Sequence, residues 1–249
     1  MNAMKWIIGT AAAAWLVLAM QPLAHGGFYW EMTEVREGMA LPEGMPANLP
    51  PSVQAQLAQA SERTVKHYVD EAGYRTEDGD DIVIVDYRAL TITTIHPADK
   101  TFIRIDVEKF IENQPDMGKI TRSMTDDFQI TSTDEVKKIH GYTCRKYMVT
   151  FMMGSGEYWA SEEVEAYPYL KRVGEKMHRA MSSSPLFAQM NISGVMSKID
   201  GFPVLTVMDI MGARTTSTLK HIEPREIDAA LFQVPPGYKE TPMPGIQQP

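Results

Sequence analysis

The stretch DIVIVDYRALTITTIHPADKTFIRID, residues 81–106, decides the fold of this chain. It contains three runs typical of β-strands, which are Ile82–Tyr87, Leu90–His96 and Lys100–Asp106. Only the short turns at Arg88-Ala89 and Pro97-Ala98-Asp99 separate them. Because a parallel crossover needs about a dozen residues or more, the stretch predicts an antiparallel meander.

Two strands of this protein are apolar on both sides. Strands of a sheet that is wet on one face alternate apolar and polar residues, yet Ile82–Val85 and Val204–Met208 do not. Both of their faces therefore need cover. Helical sequence between Val164 and Ile199 can cover one face, which leaves the other to curvature, to a Pro/Met-rich segment or to a ligand. Arg214–Ile222, with polar residues on one side, is expected at an edge or along a solvated wall.

The remaining elements follow from periodicity and turn residues. Further strands are predicted at Phe28–Arg36, Arg63–Asp70, Asp127–Lys138, Tyr142–Met153, Val204–Met211 and Arg214–Ile222, with Glu157–Ser161 as an extension of the second pair. A short helix is predicted at Val107–Gln114. Leu170, Val173, Met177 and Met181 recur at helical spacing, which predicts an amphipathic helix started by Pro168, and a second helical stretch begins at Pro185.

The chain is expected to form a single domain over residues 27–240. Within it, residues 37–60 form a Pro/Met-rich flap with a short helix at Ser52–Ala60, and residues 158–199 form a helical insert. Residues 241–249 contain three prolines and no core residues, so a mobile tail is expected there.

The first 26 residues read as a signal peptide. Lys5 precedes the uncharged apolar run Trp6–Met20, and Ala24-His25-Gly26 offers small residues for cleavage. The apolar run is shorter than the roughly 20 residues that span a bilayer, so no integral membrane span is expected after cleavage. We expect export to the periplasm as a soluble protein, with secretion as the alternative.

The chain is acidic, with a net charge of −8 that becomes −9 once residues 1–26, which contain one Lys and no acidic residue, are removed. This charge excludes the basic footprint of a nucleic-acid partner. The histidines lack metal-ligand spacing, and Ser155 lacks the flanks of a nucleophile elbow. We therefore predict no catalytic residue, metal or cofactor. The only cysteine, Cys144, is expected to be a small buried thiol.

Three stretches together resemble the exported bacterial family called domain of unknown function 4412. They are Ile84–Tyr87 with Ile95–Phe102, then His140–Tyr147, and finally Asp228–Tyr238, whose Leu-Phe-x-Val-Pro-x-Gly-Tyr pattern is the most specific. That family is similar to the periplasmic lipoprotein carriers. The resemblance implies an α+β fold, in which a curved antiparallel β-sheet forms a half-barrel with helices packed on its concave face or mouth.

A curved sheet of this kind predicts an apolar concavity, which side chains either fill or leave open for a hydrophobic ligand. The preferred hypothesis is a non-catalytic carrier for a lipid or acyl chain. Five residues are candidates for the wall of its site: Ile84, Tyr147, Phe151, Leu205 and Val207. The alternative is a ligand-free scaffold domain that docks on an envelope protein partner through a sheet edge or the flap. An enzyme is the third hypothesis.

Overall fold

The structure is a computed structural model, and it describes residues 26–38, 59–79, 81–113, 128–151, 154–182, 198–210 and 212–242. Several predicted features lie wholly or mostly outside the described residues. They are the signal peptide up to residue 25, most of the flap and its short helix, the helical stretch after Pro185, and the tail beyond residue 242.

Twelve described strands form one large, curved, unclosed sheet. They are β1 (Gly27–Arg36), β2 (Ser61–Asp70), β3 (Gly73–Asp78), β4 (Asp81–Asp86), β5 (Thr91–His96), β6 (Thr101–Asp106), β7 (Gln129–Ile139), β8 (Tyr142–Phe151), β9 (Gly154–Ser161), β10 (Phe202–Ile210), β11 (Ala213–Arg225) and β12 (Lys239–Glu240). All neighbours pair antiparallel except β12, which pairs parallel with β6.

The first strand lies in the middle of the sheet. The strand order is β12-β6-β5-β4-β3-β2-β1-β11-β10-β9-β8-β7. Strands β2 to β6 form one meander and β7 to β11 form another, and β1 joins them by pairing with β2 on one side and β11 on the other. The tight turn at His140-Gly141 between β7 and β8 has positive φ at both residues, 50° and 89°, as a type I′ hairpin requires.

Two α-helices and a 3-10 helix accompany the sheet in the described part of the chain. They are α1 (Val107–Asn113), α2 (Tyr167–Ser182) and the 3-10 helix Ala229–Phe232. Helix α2 packs on the centre of the sheet, where the rings of Tyr169 and Phe28 lie 5.3 Å apart and Val173 joins the main core. Neither α-helix is long and apolar enough to cross a bilayer.

The largest core cluster lies under α2 and where β10 and β11 diverge. These two strands pair between Leu205–Ile210 and Ala213–Thr218. The start of β10, from Phe202, and the end of β11, up to Arg225, are not paired with each other. Phe202 occupies this region and meets the Trp30 ring edge-on at 5.6 Å. The buried members of the cluster are Phe28, Trp30, Met32, Val69, Cys144, Trp159, Val164, Ala166, Val173, Phe202, Val204 and Leu219.

The C-terminal segment, residues 229–241, covers strands β3 to β6. Phe232, Val234 and Tyr238 pack on a second core cluster made by Ile84, Ile95 and Phe102. The Arg75 side chain, only 7% exposed, donates a hydrogen bond to the Leu231 carbonyl at 2.8 Å. The Thr241 N–H donates to the Phe102 carbonyl at 2.8 Å, so the expected mobile tail is still attached at its first residue.

The structure confirms the antiparallel meander, the predicted strands and the amphipathic helix, with shifted boundaries. Strand β3 was not predicted, because its one buried side chain is Arg75 and it lacks apolar alternation. The helical insert begins at Tyr167 rather than at 158, since Tyr158–Ser161 pair with β8 and β10 as part of β9.

The edge position offered for Arg214–Ile222 is wrong, because β11 lies between β1 and β10. The solvated-wall alternative agrees with the exposure of Arg214 and Lys220. The polar side of this strand reflects a solvent-facing surface in the centre of the sheet rather than a free edge.

Replacing Gly201 should destabilise the fold. Its φ is 113°, and a Cβ there would lie 2.7 Å from backbone atoms of Ser161. We expect Gly201→Ala to lower the free energy of unfolding by about 2 kcal/mol or more. Gly174 is the control, since it lies in α2 with open space around it, and Gly174→Ala should raise the free energy by about 1 kcal/mol. Urea unfolding measures the free energy of both variants, and equal effects of the two substitutions would show that position 201 does not require glycine.

Removing the Phe232 ring should loosen the C-terminal segment. The ring is half-buried against the cluster of Ile84, Ile95 and Phe102. Phe232→Ala should therefore cost about 2 kcal/mol of unfolding free energy, whereas Gln233→Ala, at the neighbouring exposed side chain, should cost almost nothing. Equal urea midpoints for the two variants would show that the segment adds no stability.

Candidate functional site

The strand register divides the sheet into two faces. Residues directly opposite each other in an antiparallel pair project to the same side, and side chains alternate along each strand. We call the side of Phe28, Trp30 and Met32 the Trp30 face, and the side of Tyr29 and Glu31 the Tyr29 face. Following the register from β1 to every other antiparallel strand assigns their residues to one of these faces.

An aromatic stack lies on the Trp30 face, formed by Trp30, His67 and Tyr74. The His67 ring stacks on Trp30 with centroids 4.9 Å apart and planes at 10°, and on Tyr74 at 5.9 Å and 19°. A hydrogen bond of 2.7 Å joins His67 Nδ1 to the Tyr74 hydroxyl oxygen. The register produces this stack, because Trp30 is opposite His67 while Tyr74 is opposite Val69.

Burial lowers the pKa of His67 from 6.5 to about 4, so the imidazole is neutral at neutral pH. Its Nε2 atom is buried and has no hydrogen-bond partner among the residues that the structure describes. Burial likewise raises the pKa of Tyr74, which keeps its hydroxyl protonated. The stack is therefore an uncharged aromatic cluster whose polar atoms face inward.

An apolar band continues from the stack across strands β4 to β6. It consists of Val83, Val85, Ile92, Ile103 and Ile105, all on the Trp30 face and all partly exposed. On the opposite side of the same strands, Ile84, Ile95 and Phe102 are at most 8% exposed. The C-terminal segment makes this difference, since it packs on the Tyr29 face.

A charged rim borders the Trp30 face beyond the stack, formed by Glu34, Arg63, Asp78, Asp81 and His96. Arg63 bridges Glu34 at 2.9 Å and Asp78 at 2.8 Å. Asp81 lies 2.7 Å from Nδ1 of His96. The only arginine of the rim is thus already bound by two carboxylates, and the acidic groups outnumber the basic ones.

The structure does not bring the five predicted wall residues together. Tyr147 and Phe151 lie on the Trp30 face, and Leu205, Val207 and Ile84 lie on the Tyr29 face. Tyr147 is 3% exposed and packs with Ala160 and Ile199, and its hydroxyl hydrogen bonds the backbone of Asp200. Whether any of the five contacts a ligand stays a prediction.

The remaining three wall candidates have distinct surroundings. Phe151 stacks on Phe128 with ring centroids 5.8 Å apart. Leu205 packs against the largest core cluster, and Val207 is half-exposed opposite Thr216 and Glu157. Leu205 and Val207 are thus neighbours on one face of β10, and Phe151 lies on the opposite face of the sheet in β8.

Sequence reasoning missed the aromatic stack and the apolar band. His67 stands between Val65 and Val69 on the apolar side of its strand, which was the available signal for a buried histidine. The prediction of a buried Cys144 is confirmed, since the residue is 0% exposed and burial raises the pKa of its thiol. Among the described residues, no group of three or more His, Cys, Asp or Glu could hold a metal ion.

These features define a class of protein, a large antiparallel sheet with one sealed face and one partly open apolar face at β4 to β6. The family model described as Domain of unknown function (DUF4412) matches residues 53–238. The chain belongs to this family. Its match ends at Tyr238, the last aromatic residue that packs under the sheet. No curated protein matches the chain.

Two solved structures show a weak likeness. They are structures of PNGF-II in the C2 and P21 space groups, with TM-scores of 0.42 and 0.40, and both are 10% identical to this chain. The matches cover 87% of this chain but only 31% and 32% of the PNGF-II chains. The chain thus spans about a third of the length of these proteins.

The pKa of His67 predicts a loss of stability in mild acid. Because its folded value lies below its unfolded value, the unfolded chain binds the proton first, and the stabilisation present above pH 6.5 decreases as the pH falls toward 4. We expect unfolding free energy to fall by about 2 kcal/mol between pH 7 and pH 5 through this group.

The His67→Phe variant isolates this effect, since it keeps a ring in the stack and removes the titration. Urea unfolding at pH 7 and pH 5 should show a smaller decrease for the variant than for the wild type. An identical decrease in both proteins would show that His67 is not buried in its neutral form.

Proposed function

We propose that this protein is a non-catalytic carrier that holds a hydrophobic ligand, a lipid or acyl chain, against the Trp30 face of its sheet. The observation that carries this proposal is the apolar band of Val83, Val85, Ile92, Ile103 and Ile105. Contiguous apolar surface exposed on a folded protein marks a site of interaction.

The dimensions of the face suit an acyl chain. Neighbouring strands are about 4.8 Å apart, so the six strands from β1 to β6 extend over about 24 Å. This is comparable with the length of an extended long-chain fatty acid. The branched side chains of the band offer the apolar bed across β4 to β6, and toward β1 the face ends at the buried ring of Trp30.

The setting proposed for this activity is the periplasm. The signal peptide predicted at residues 1–26, together with the resemblance to periplasmic lipoprotein carriers, supports export and a half-barrel carrier fold. A carrier in an aqueous compartment requires a surface that shields acyl chains from water, and the band is a candidate for that surface.

The alternative, a scaffold that docks a protein on a sheet edge, has less support. Strand β7, the last of the described strands at one edge of the sheet, has a bulge between Ser132 and Val136 and carries Lys137 and Lys138. Bulges and lysines are features by which edge strands avoid pairing with other chains. At the opposite edge, β12 covers β6. These observations favour the sheet face over the edges as the binding surface.

Substitution of the band should weaken ligand binding. We expect Ile103→Ser to lower the affinity for a neutral apolar fluorescent probe by about tenfold, since it removes apolar contact area. The matched control is Val207→Ser, at a half-exposed valine on the Tyr29 face, which should bind the probe like the wild type. Fluorescence titration measures both.

Two results would contradict the proposal. If the wild type binds no apolar probe and retains no lipid detectable by mass spectrometry, the protein is not a carrier. If Val207→Ser weakens binding and Ile103→Ser does not, the ligand lies on the Tyr29 face, where three of the residues predicted from sequence lie.

A further inference from the structure

One row of residues across the Trp30 face combines apolar and polar side chains. The register places Trp30, His67, Thr76, Val83, Thr94 and Ile103 side by side on six consecutive strands. Thr76 and Thr94 are both partly exposed. In the described part of the chain, neither hydroxyl has a hydrogen-bond partner. The row therefore offers hydroxyl groups in the middle of an otherwise apolar surface.

The His67 ring, next to Thr76 in this row, contributes an uncharged aromatic surface, because its Nδ1 atom is bonded to the Tyr74 hydroxyl and its Nε2 atom is buried. Because the ring is neutral, it does not attract an anion. The two threonine hydroxyls beside an uncharged ring thus suit a neutral hydrogen-bonding group and not a charged one.

The charged rim excludes an anionic head group as well. Arg63 is held by Glu34 and Asp78, and His96 is paired with Asp81. A carboxylate or phosphate placed here would find no unpaired cation within the rim and would face three carboxylates. Leaving a charge unpaired at a partly buried site carries a large penalty.

The spacing of the two threonines restricts the head group further. They lie two strands apart, about 10 Å. Hydrogen bonds of about 2.8 Å from each hydroxyl leave about 4 Å between two ligand oxygens. This is the separation of oxygen atoms within a glycerol unit, and Val83 lies beneath it.

We propose that the ligand is a neutral acyl ester of a polyol, such as a monoacylglycerol, whose head group hydrogen bonds to Thr76 and Thr94 beside His67 while its chain lies along the apolar band. This inference rests on the proposed function and specifies the chemical class of the ligand. It predicts that the protein discriminates between ligands of equal chain length by their polar groups.

Three ligands with the same acyl chain test the proposal: monooleoylglycerol, methyl oleate and oleate. Each ligand is titrated at pH 7.5 against a protein of residues 27–249 that has been loaded with a neutral apolar fluorescent probe. Monooleoylglycerol should displace the probe with an affinity about tenfold higher than methyl oleate, which lacks the two hydroxyls, and oleate should bind most weakly.

Threonine variants locate the contact. Thr94→Val and Thr76→Val should each weaken monooleoylglycerol binding by about three- to tenfold and leave methyl oleate unchanged, because each removes one hydrogen bond. Thr91→Val is the control in the same strand as Thr94 but on the Tyr29 face, and it should change neither affinity.

The outcomes separate this inference from the function on which it rests. If monooleoylglycerol and methyl oleate bind equally, if oleate binds most tightly, or if Thr94→Val weakens both esters alike, the head-group assignment is wrong while the carrier function stands. If none of the three ligands displaces the probe and the probe itself does not bind, both proposals fail.

Discussion

The structure depends on the double pairing of β1. This ten-residue strand pairs along its whole length with β2 and with β11, so that Gly27 is opposite both Asp70 and Arg225. It is the only described strand that connects the two meanders. Its two faces also set the character of the two sides of the sheet, since Phe28, Trp30 and Met32 enter the main core while Tyr29 stacks with Tyr68 and Arg225.

The local part of the fold was predictable, and the long-range part was not. Short turns and β-branched runs determine a meander such as β4 to β6, because nearby strands joined by a few residues pair antiparallel. No local signal indicates that β1 pairs with a strand almost 200 residues away. Strand β3 was missed for a different reason, because its buried side chain is an arginine whose partner, the Leu231 carbonyl, lies in the C-terminal segment.

The sequence predicted that the protein has an apolar surface, but not which residues form it. The apolar residues on both sides of Ile82–Val85 predicted cover for both faces, whereas the structure buries Ile84 and leaves Val83 and Val85 partly exposed. Alternation alone separates Ile82 and Ile84 from Val83 and Val85, but it does not say which pair is covered. That assignment needs the register to β1 and the position of Phe232, and the Leu-Phe-x-Val-Pro-x-Gly-Tyr pattern has no periodicity that reveals the packing of Phe232 beneath the sheet.

Strands β4 to β6 show that cover, and not composition, decides burial. Their two faces carry similar branched residues, yet Ile84 and Ile95 are 3% and 0% exposed while Val83 and Ile103 remain partly exposed. Thr76 and Thr94 on the Trp30 face are partly exposed, so water can satisfy their hydroxyls where a dry core would leave them unpaired at a cost. The row combines these hydroxyls with the His67 ring and with the apolar Trp30, Val83 and Ile103. In the function proposed above, the apolar residues would hold the acyl chain and the hydroxyls would orient the head group.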